Sequence, residues 1–543
     1  MERRNFLSTT VLASVGIASL LTAACYNSNK TDETKSLLKS DNESLDDFVL
    51  DETTISDLRD KLKSGEFTSE QLVKLYLKRI ELIDKNGFKL KSVIEINSDA
   101  LSIAKTLDNE MKKGKIRSPL HGIPILIKDN IDTADKMQTT AGALAMSGNI
   151  AQHDAFIVNK LRQAGAVILG KTNLSEWANF RSTQATSGWS SRGGQTKNPY
   201  ILDHNPCGSS AGSGVAVAAN LCVVAVGTET DGSVVCPASV NGIVGIKPTV
   251  GLVSRSGIIP ISKTQDTAGP MARTVKDAAI LLGVLVGIDS KDAVTNESIG
   301  KSFTDYTPFL NASALKGKRI GVERKLQGKN QYMHQLQQNA IDLIKKQGAT
   351  VVEIDYLDKI NELGEDEFEV MQYEFKEGVN AYLSTSSAKV KNLKEVIDFN
   401  SANQDKAMPY FKQETLISSN EKKGLDDPKY LQSLNKSHFG TRKILDDVII
   451  TNKLDAICGL TMGPACSIDS IYGDRWGDVF LTMPAAASGY PHITVPCGMV
   501  YNLPVGFSFF GAAYTEPKLI GIAYAYEQAS KKRIKPTFKK SFL

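Results

Sequence analysis

Short apolar runs separated by helical patterns set the strongest limit on how this chain can fold. Between residues 120 and 260, the runs "GIPILIKDNID", "AVILGKTN" and "CVVAVGTET" each lead directly into small or polar residues. Helix-like segments, of which "SSAGSGVAVAAN" is one, lie between these runs. Strands that alternate with helices form mostly parallel sheets with helices packed on both faces. The pattern therefore predicts an α/β fold with a mixed, mostly parallel central β-sheet covered by helices on both faces.

A single large domain is expected over residues 48–543. Residues 68–84 predict an amphipathic helix, because Thr68 and Gln71 have capping-box spacing and apolar residues follow on one helical face. Residues 300–450 are more polar and charged and carry helical patterning, so we expect a variable helical region near a substrate cleft there. No internal repeat and no clear linker follows residue 48.

The first residues have the pattern of an export signal. "MERRNFLSTTVLASVGIASLLTAAC" combines a basic start, an apolar stretch too short to span a membrane comfortably, and small residues before Cys25. Its paired arginines resemble a twin-arginine signal, and its end resembles a lipoprotein cleavage box in which Thr22 replaces the usual leucine. We expect residues 1–25 to direct export and Cys25 to carry a lipid in a bacterial cell envelope. Plain secretion and an uncleaved anchor are the alternatives, and polar residues 26–47 predict a flexible tether.

Composition excludes several functional classes. The formal net charge of +4 comes from 64 basic and 60 acidic residues that are interspersed, which gives no indication of a nucleic-acid partner. The six histidines include no pair at metal-ligand spacing, and the seven cysteines include no C-x-x-C motif. A metal site or a dithiol redox motif is therefore not expected. The cysteines outside the export signal are expected to be buried free thiols.

Two familiar serine motifs occur in unfavourable contexts. Residues 208–212, "GSSAG", match the G-x-S-x-G nucleophile elbow, which requires a preceding buried strand and a histidine later in the chain. The preceding "NPYILDHNPC" contains two prolines and no strand pattern, although His334, His438 and His492 follow. The serine–lysine motif S-x-x-K recurs along the chain, and its matches at Ser36, Ser102 and Ser386 lie in hydrophilic stretches. Neither motif predicts the active site.

Three other segments carry a specific resemblance. "GIPILIKDNIDT" (122–133), "CGSSAGSGVAVAAN" (207–220) and "GTETDGSVVCPAS" (227–239) resemble, in order and spacing, the signature blocks of the amidase signature family. The flanking "GIVGIKPTVGLVSRSGIIP" (242–260) agrees as well. The resemblance extends from about residue 50 to the end of the chain. It implies a hydrolase that cleaves amide C–N bonds without a metal or an organic cofactor.

The same resemblance implies a catalytic triad. Ser233 would be the nucleophile, Ser209 the bridging serine and Lys128 the base. A serine hydroxyl is a weak nucleophile near neutral pH and needs a base within hydrogen-bond reach. A lysine can act as that base only when it is neutral, and burial lowers its pKa because desolvation disfavours the charged form. In the alternative interpretation Lys128 is a surface lysine at a strand end, paired with Asp129.

The nucleophile loop would also supply an oxyanion hole from the backbone N–H groups of Thr230, Asp231, Gly232 and Ser233. Many relatives have Gly-Gly-Ser where this chain has Asp231-Gly232-Ser233, and this departure resembles the peptide amidase branch, which removes the C-terminal amide of peptides. Asp231 would orient the substrate or the loop, or it would satisfy local N–H groups as a turn residue. Ser210 would cap a helix, donate hydrogen bonds or contact the substrate.

The sequence thus predicts an exported serine amidohydrolase that acts on a small-molecule or peptide amide through an acyl-enzyme. Cys236 is expected to be a packing residue, since no histidine is suitably placed and Pro237 follows it. No obligate protein partner is implied. The alternatives are an amidase-like component of a glutamine-dependent transfer-RNA amidotransferase, against which the export signal argues, and a non-catalytic binding lipoprotein with this fold.

Overall fold

The computed structural model describes residues 48–325 and 328–542. The predicted export signal, Cys25 and the tether lie outside the described residues, so they stay predictions. Residues Leu50–Leu543 form one compact unit. Across the part of the chain that the structure describes, none of the helices combines the length and apolar character needed to cross a membrane.

The strands fall into one large sheet and one small hairpin. Eleven of the strands in the described residues form the large sheet, in the spatial order β1-β3-β2-β6-β8-β7-β12-β13-β11-β9-β10, while β4 and β5 pair with each other. Their bounds are β1 (Val93–Ile96), β2 (Pro124–Lys128), β3 (Val167–Thr172), β4 (Trp189–Ser190), β5 (Gly194–Gln195), β6 (Val224–Glu229), β7 (Val244–Lys247), β8 (Thr267–Ala272), β9 (Arg319–Glu323), β10 (Thr350–Ile354), β11 (Ala456–Leu460), β12 (His492–Val500) and β13 (Leu503–Phe510).

Parallel pairing is concentrated in two blocks of the large sheet. Strand β2 pairs in parallel with β3 and β6, and β9 pairs in parallel with β10 and β11. The other six neighbouring pairs in the described residues, at one edge and through the centre, are antiparallel. The single α/β domain with a mixed central sheet is confirmed. The parallel pairing predicted from residues 120–260 holds among β2, β3 and β6, and antiparallel strands separate that block from the second one.

Helices cover both faces of the sheet. Every residue of β2, β3 and β6 is buried, and because successive side chains of a strand point to opposite faces, both faces must be covered. The helices are α1 (Ile55–Ser64), α2 (Ser69–Arg79), α3 (Ala100–Lys112), α4 (Phe156–Gln163), α5 (Ala211–Ala218), α6 (Val235–Val240), α7 (Val275–Leu285), α8 (Gln331–Lys346), α9 (Leu357–Asn361), α10 (Gly364–Thr385), α11 (Leu393–Ala402), α12 (Gln404–Ala407), α13 (Glu414–Asn420), α14 (Pro428–Leu434), α15 (Gly440–Asn452), α16 (Met483–Ser488) and α17 (Glu516–Ser530).

Local sequence signals place several of these elements. Thr68 caps α2, with both hydrogen bonds of the predicted capping box formed to Gln71. The predicted helix over residues 68–84 ends as an α-helix at Arg79 and continues as a π-helix over Ile80–Asn86. Its prediction is confirmed.

The description of residues 300–450 as helical needs a correction, because β9 and β10 also lie there. Strand β9 has only "IGV" as an apolar core between charged residues, a run too short to stand out in the sequence. Strand β10 is largely exposed or half-buried, so it lacks the apolar run of a central strand. It forms the edge of the sheet beside β9, and partly exposed edge strands leave a weak hydrophobic pattern.

The sheet topology brings two of the three signature blocks together. Ile127 of β2 lies opposite Val226 of β6 in a parallel pair, so the carboxyl ends of both strands meet at one edge. In α/β sheets this edge is where ligands bind. Lys128 ends β2, and the loop that carries Ser233 follows β6.

Candidate active site

Lys128 is the centre of a buried hydrogen-bond network. Its side chain is fully buried, and its Nζ lies 2.7 Å from Ser209 Oγ and 3.0 Å from Ser210 Oγ. Nζ also lies 2.9 Å from Thr228 Oγ1 and 3.2 Å from the Thr228 carbonyl oxygen. The predicted base and bridging serine are therefore in direct contact, although 81 residues separate them in the chain.

The alternative role for Lys128, a surface lysine paired with Asp129, is wrong. Asp129 accepts a hydrogen bond from the N–H of Gly142 at 3.2 Å and faces Arg192 at 3.5 Å. Neighbouring side chains of a strand point to opposite faces, so Lys128 and the residue that follows it separate as the strand ends. The Lys128 side chain points toward the second and third signature blocks.

Burial lowers the pKa of Lys128 to about 7, from an ordinary value of 10.5. Desolvation of the ammonium is the main cause, and the negative charges of Asp266 and Glu229 oppose it in part. A lysine with this pKa is substantially neutral near pH 7, which is what a general base requires.

The two serines of the "GSSAG" segment have different partners. A cis peptide bond joins Gly208 to Ser209, and the carbonyl oxygen of Ser209 accepts a hydrogen bond from the N–H of Ser175 at 3.1 Å. Ser210 is fully buried, and its Oγ donates to the Thr228 carbonyl oxygen at 3.0 Å. Its side chain makes no capping bond to α5. The structure therefore places Ser210 in the lysine network, as a hydrogen-bonding residue.

Ser233 lies on a tight loop that returns against β6. The carboxylate of Glu229 accepts hydrogen bonds from the N–H groups of Val234 at 2.7 Å and Val235 at 2.9 Å, which closes the loop. The carbonyl oxygen of Ser233 accepts a bond from the N–H of Ser210 at 3.1 Å, which joins the second and third signature blocks. In the described residues no hydrogen bond joins Ser233 Oγ to Ser209 Oγ. Catalytic hydrogen bonds are often loose before substrate binds.

The predicted oxyanion hole belongs to this loop. Gly232 has a φ of +74°, a conformation that favours glycine, and a Cβ there would lie 2.8 Å from Cys236 Sγ. Among the described residues, neither Asp231 nor Ser233 donates a backbone hydrogen bond to the protein. Two of the four predicted donors, the N–H groups of Asp231 and Ser233, are therefore without a backbone acceptor.

Asp231 is not satisfied as an ordinary turn residue. Its Oδ1 is buried and has no hydrogen-bond partner among the described residues. Burial, reinforced by the nearby Glu229 carboxylate, raises the pKa of Asp231 to about 6, although a neighbouring Thr482 and the charge of Lys247 oppose the shift. The turn interpretation, in which this carboxylate accepts local N–H groups, is not what the structure contains.

A cavity of about 270 Å³ adjoins the lysine network and the nucleophile loop. Two of its lining residues, Thr228 and Thr230, belong to the third signature block. Asp266 also lines it, although none of the sequence motifs pointed to this residue. The available signal was an acidic residue at the end of the loop before β8, in "KTQDTAGP".

A left-handed turn forms part of the same cavity wall. Trp177, Ala178 and Asn179 have φ values of 52°, 54° and 73°, and Ala178 lines the cavity. Non-glycine residues in this conformation cost roughly 1–2 kcal/mol each, and such strain is concentrated at functional sites. The turn follows Ser175, which holds the Ser209 carbonyl oxygen. The one signal for this turn in the sequence is Asn179, because asparagine adopts the left-handed conformation more readily than most residues.

The histidines that follow the elbow motif lie outside this arrangement. The three histidines weighed for the elbow motif bond elsewhere, to Gly328, Ala487 and Ser508. Burial lowers the pKa of His438 to about 4 and that of His492 to about 3. Among the described residues, no group of three histidine, cysteine or acidic side chains is arranged to hold a metal ion.

A buried lysine in contact with the serine of the second signature block is now established, and comparison with known proteins identifies the family of the chain. A family model described as Amidase matches residues 71–520, so the chain belongs to the amidase family. It is a hydrolase that acts on amide C–N bonds.

Individual relatives refine this assignment. A solved structure of the peptide amidase from Stenotrophomonas maltophilia is 46% identical, with a TM-score of 0.85 over 90% of this chain and 99% of that one. A probable amidase of Arabidopsis thaliana is 42% identical over 90% of this chain and 92% of its own length. A component of the glutamyl-tRNA(Gln) amidotransferase of Clostridium botulinum is more distant, at 32% identity over 88% of this chain and 98% of its own length. The resemblance to the peptide amidase branch is thereby supported.

Proposed function

We propose that this protein hydrolyses terminal carboxamides through an acyl-enzyme on Ser233, with Ser209 and Lys128 as its proton relay. The observation that carries the proposal is the 2.7 Å contact between Lys128 Nζ and Ser209 Oγ in a fully buried network. A lysine whose pKa is lowered to about 7 by burial can accept a proton near neutral pH.

In the first half-reaction the proton moves away from the nucleophile. Neutral Lys128 takes the proton of Ser209, which takes the proton of Ser233, and the Ser233 oxygen attacks the carbonyl carbon of the amide. Of the predicted donors from Thr230 to Ser233, the backbone N–H groups of Asp231 and Ser233 have no acceptor among the described residues, and they form the oxyanion hole for the negative oxygen that results. The C–N bond then breaks, and the relay returns the proton to the departing nitrogen, which leaves as ammonia.

In the second half-reaction water replaces the amine. The relay removes a proton from water, which attacks the acyl-enzyme, and the same proton returns to Ser233 as the carboxylic acid leaves. Each step needs only the side chains and N–H groups of the three signature blocks.

We propose a peptide amide as the substrate class. The 46% identity to a peptide amidase supports this, as does a second structure of such an amidase with the competitive inhibitor chymostatin. The buried and unpartnered Oδ1 of Asp231, beside the nucleophile, is suited to accept a hydrogen bond from a substrate N–H. The lower identity to the amidotransferase component gives no reason to prefer that role.

The test is ammonia release by the purified full-length protein. The panel would contain acetylated dipeptide amides, simple aliphatic amides and the corresponding methyl esters. We expect the peptide amides to be the best substrates, and Ser233→Ala to abolish turnover. Ser488→Ala is the matched control, because that hydroxyl donates to the Pro484 carbonyl oxygen inside α16. Turnover by Ser233→Ala at the wild-type rate would overturn the nucleophile assignment.

A further inference from the structure

Thr230, the first residue of the predicted oxyanion hole, is held at two of its atoms by two consecutive residues. Its Oγ1 donates to Asp266 Oδ1 at 2.6 Å. Its carbonyl oxygen accepts a bond from Gln265 Nε2 at 3.4 Å. These two hydrogen bonds restrain both the side chain and the carbonyl group of Thr230. The peptide group between Thr230 and Asp231 is therefore also fixed.

Asp266 is itself rigidly placed. Its Oδ2 accepts hydrogen bonds from the N–H groups of Ile261 at 2.8 Å and Ser262 at 2.9 Å. The residue directly after it, Thr267, begins β8 and lies opposite Glu229 of β6 in an antiparallel pair. The anchor therefore belongs to the same sheet that delivers the nucleophile loop.

Gln265 extends the arrangement to the helical region. Its Nε2 also donates to Glu367 Oε1 at 2.7 Å, and Glu367 is a buried residue of α10. Gln265 is buried as well. The side-chain amide of Gln265 thus connects helix α10 to the nucleophile loop.

We propose that Gln265 and Asp266 are positioning residues that fix Thr230, and with it the N–H groups that stabilise the oxyanion. This inference rests on the proposed function. Neither residue is assigned a chemical step, since both act through the backbone that they hold. Misplacing catalytic groups by about 1 Å can cost about 10²-fold in rate, so two hydrogen bonds at this point have a large effect on catalysis.

The test compares kcat and KM of full-length variants on an acetylated dipeptide amide. Thr230→Val removes the hydroxyl and keeps the shape, whereas Thr230→Ser keeps the hydroxyl. We expect Thr230→Val to lower kcat by about 10–10²-fold with KM nearly unchanged, because oxyanion contacts strengthen only in the transition state. Thr230→Ser should retain most of the activity. Gln265→Met should lower kcat in the same way and serves if Thr230→Val fails to fold.

A double variant separates positioning from charge. Thr230→Val leaves the carboxyl group of Asp266 in place but removes the hydroxyl that lowers its pKa, so kcat is compared at about pH 9, where Asp266 is ionised in both proteins. If the hydroxyl and the carboxylate act as one unit, Thr230→Val combined with Asp266→Asn should lower kcat little more than the larger single effect.

The matched control is Ser254→Ala, since Ser254 Oγ donates to Asp289 Oδ2 at the same 2.6 Å but outside the nucleophile loop. It should lower the melting temperature and leave kcat unchanged. The inference is overturned if Thr230→Val and Gln265→Met lower kcat no more than this control, or if Thr230→Ser fails to restore it. Activity in Ser233→Ala would instead remove the proposed function itself.

Discussion

The pH dependence of the rate is the most direct test of a lysine base. An ordinary lysine with a pKa of 10.5 would be neutral in only about 0.03% of molecules at pH 7. With its pKa lowered to about 7 by burial, Lys128 is neutral in about half of them. The fold therefore raises the population of the reactive form by about 10³-fold.

The perturbation is a pH series on kcat/KM with an uncharged peptide amide, measured from about pH 5 to pH 9.5. The base is active when it is deprotonated, so the rate should rise about tenfold per pH unit at the acidic end and level off above the pKa of about 7. Lys128→Ala should lose this limb and about 10²–10⁴-fold in rate.

A change of solvent distinguishes lysine from a carboxyl group in the same pH range. A miscible organic solvent raises the pKa of a carboxylic acid, because ionisation creates charge, but it barely moves that of an ammonium. We therefore expect the midpoint to stay in place when methanol is added. A midpoint near 10.5, an upward shift with methanol, or an unchanged profile in Lys128→Ala would each refute the reasoning.

Three further expectations follow from the structure. Cys236→Ala should keep kcat within about twofold, because the thiol is buried and burial raises its pKa well above the ordinary value; a large loss would restore a chemical role for it. Asp266→Asn should move the acidic midpoint to lower pH, since the lost negative charge raises the pKa of Lys128 in the wild type; an upward move would contradict this sign. Cys25→Ala should abolish incorporation of an alkyne-labelled fatty acid into the protein expressed in bacteria, and labelling that persists would exclude lipid at Cys25.

Much of the fold around the active site could be predicted because its strands are buried on both faces. The apolar runs that became β2, β3 and β6 stand out against polar turns, and the burial of every residue in these strands explains why. Strand β9 left a weaker signal, since charged residues flank its three-residue core. Alternation of strands and helices between residues 120 and 260 identified parallel neighbours there but carried no information on how strands farther along the chain would pair.

The contacts of the site were less accessible than its residues. The resemblance named Lys128, Ser209 and Ser233, but the bonds to Thr228 depend on how two strand ends meet in space. Asp266 lies outside the three blocks, and its contact to Thr230 spans 36 residues of chain. A side-chain hydrogen bond between distant segments leaves no periodic pattern in one sequence, so reasoning from periodicity cannot find it.

The "GSSAG" segment shows why a short motif misleads when its packing is unknown. Its final glycine, Gly212, is required by close approach, because a Cβ there would lie 2.3 Å from the Ser92 carbonyl oxygen and 2.5 Å from that of Asn173. That approach seats α5 against the end of β3 and brings Ser209 within 2.7 Å of Lys128. Ser210 is the serine that the elbow motif identifies as the nucleophile. Its Oγ instead bonds to Lys128 Nζ and to the Thr228 carbonyl oxygen. Gly212 is therefore present because the backbone must pass close to two neighbours, and the three histidines that follow the motif bond to other parts of the chain.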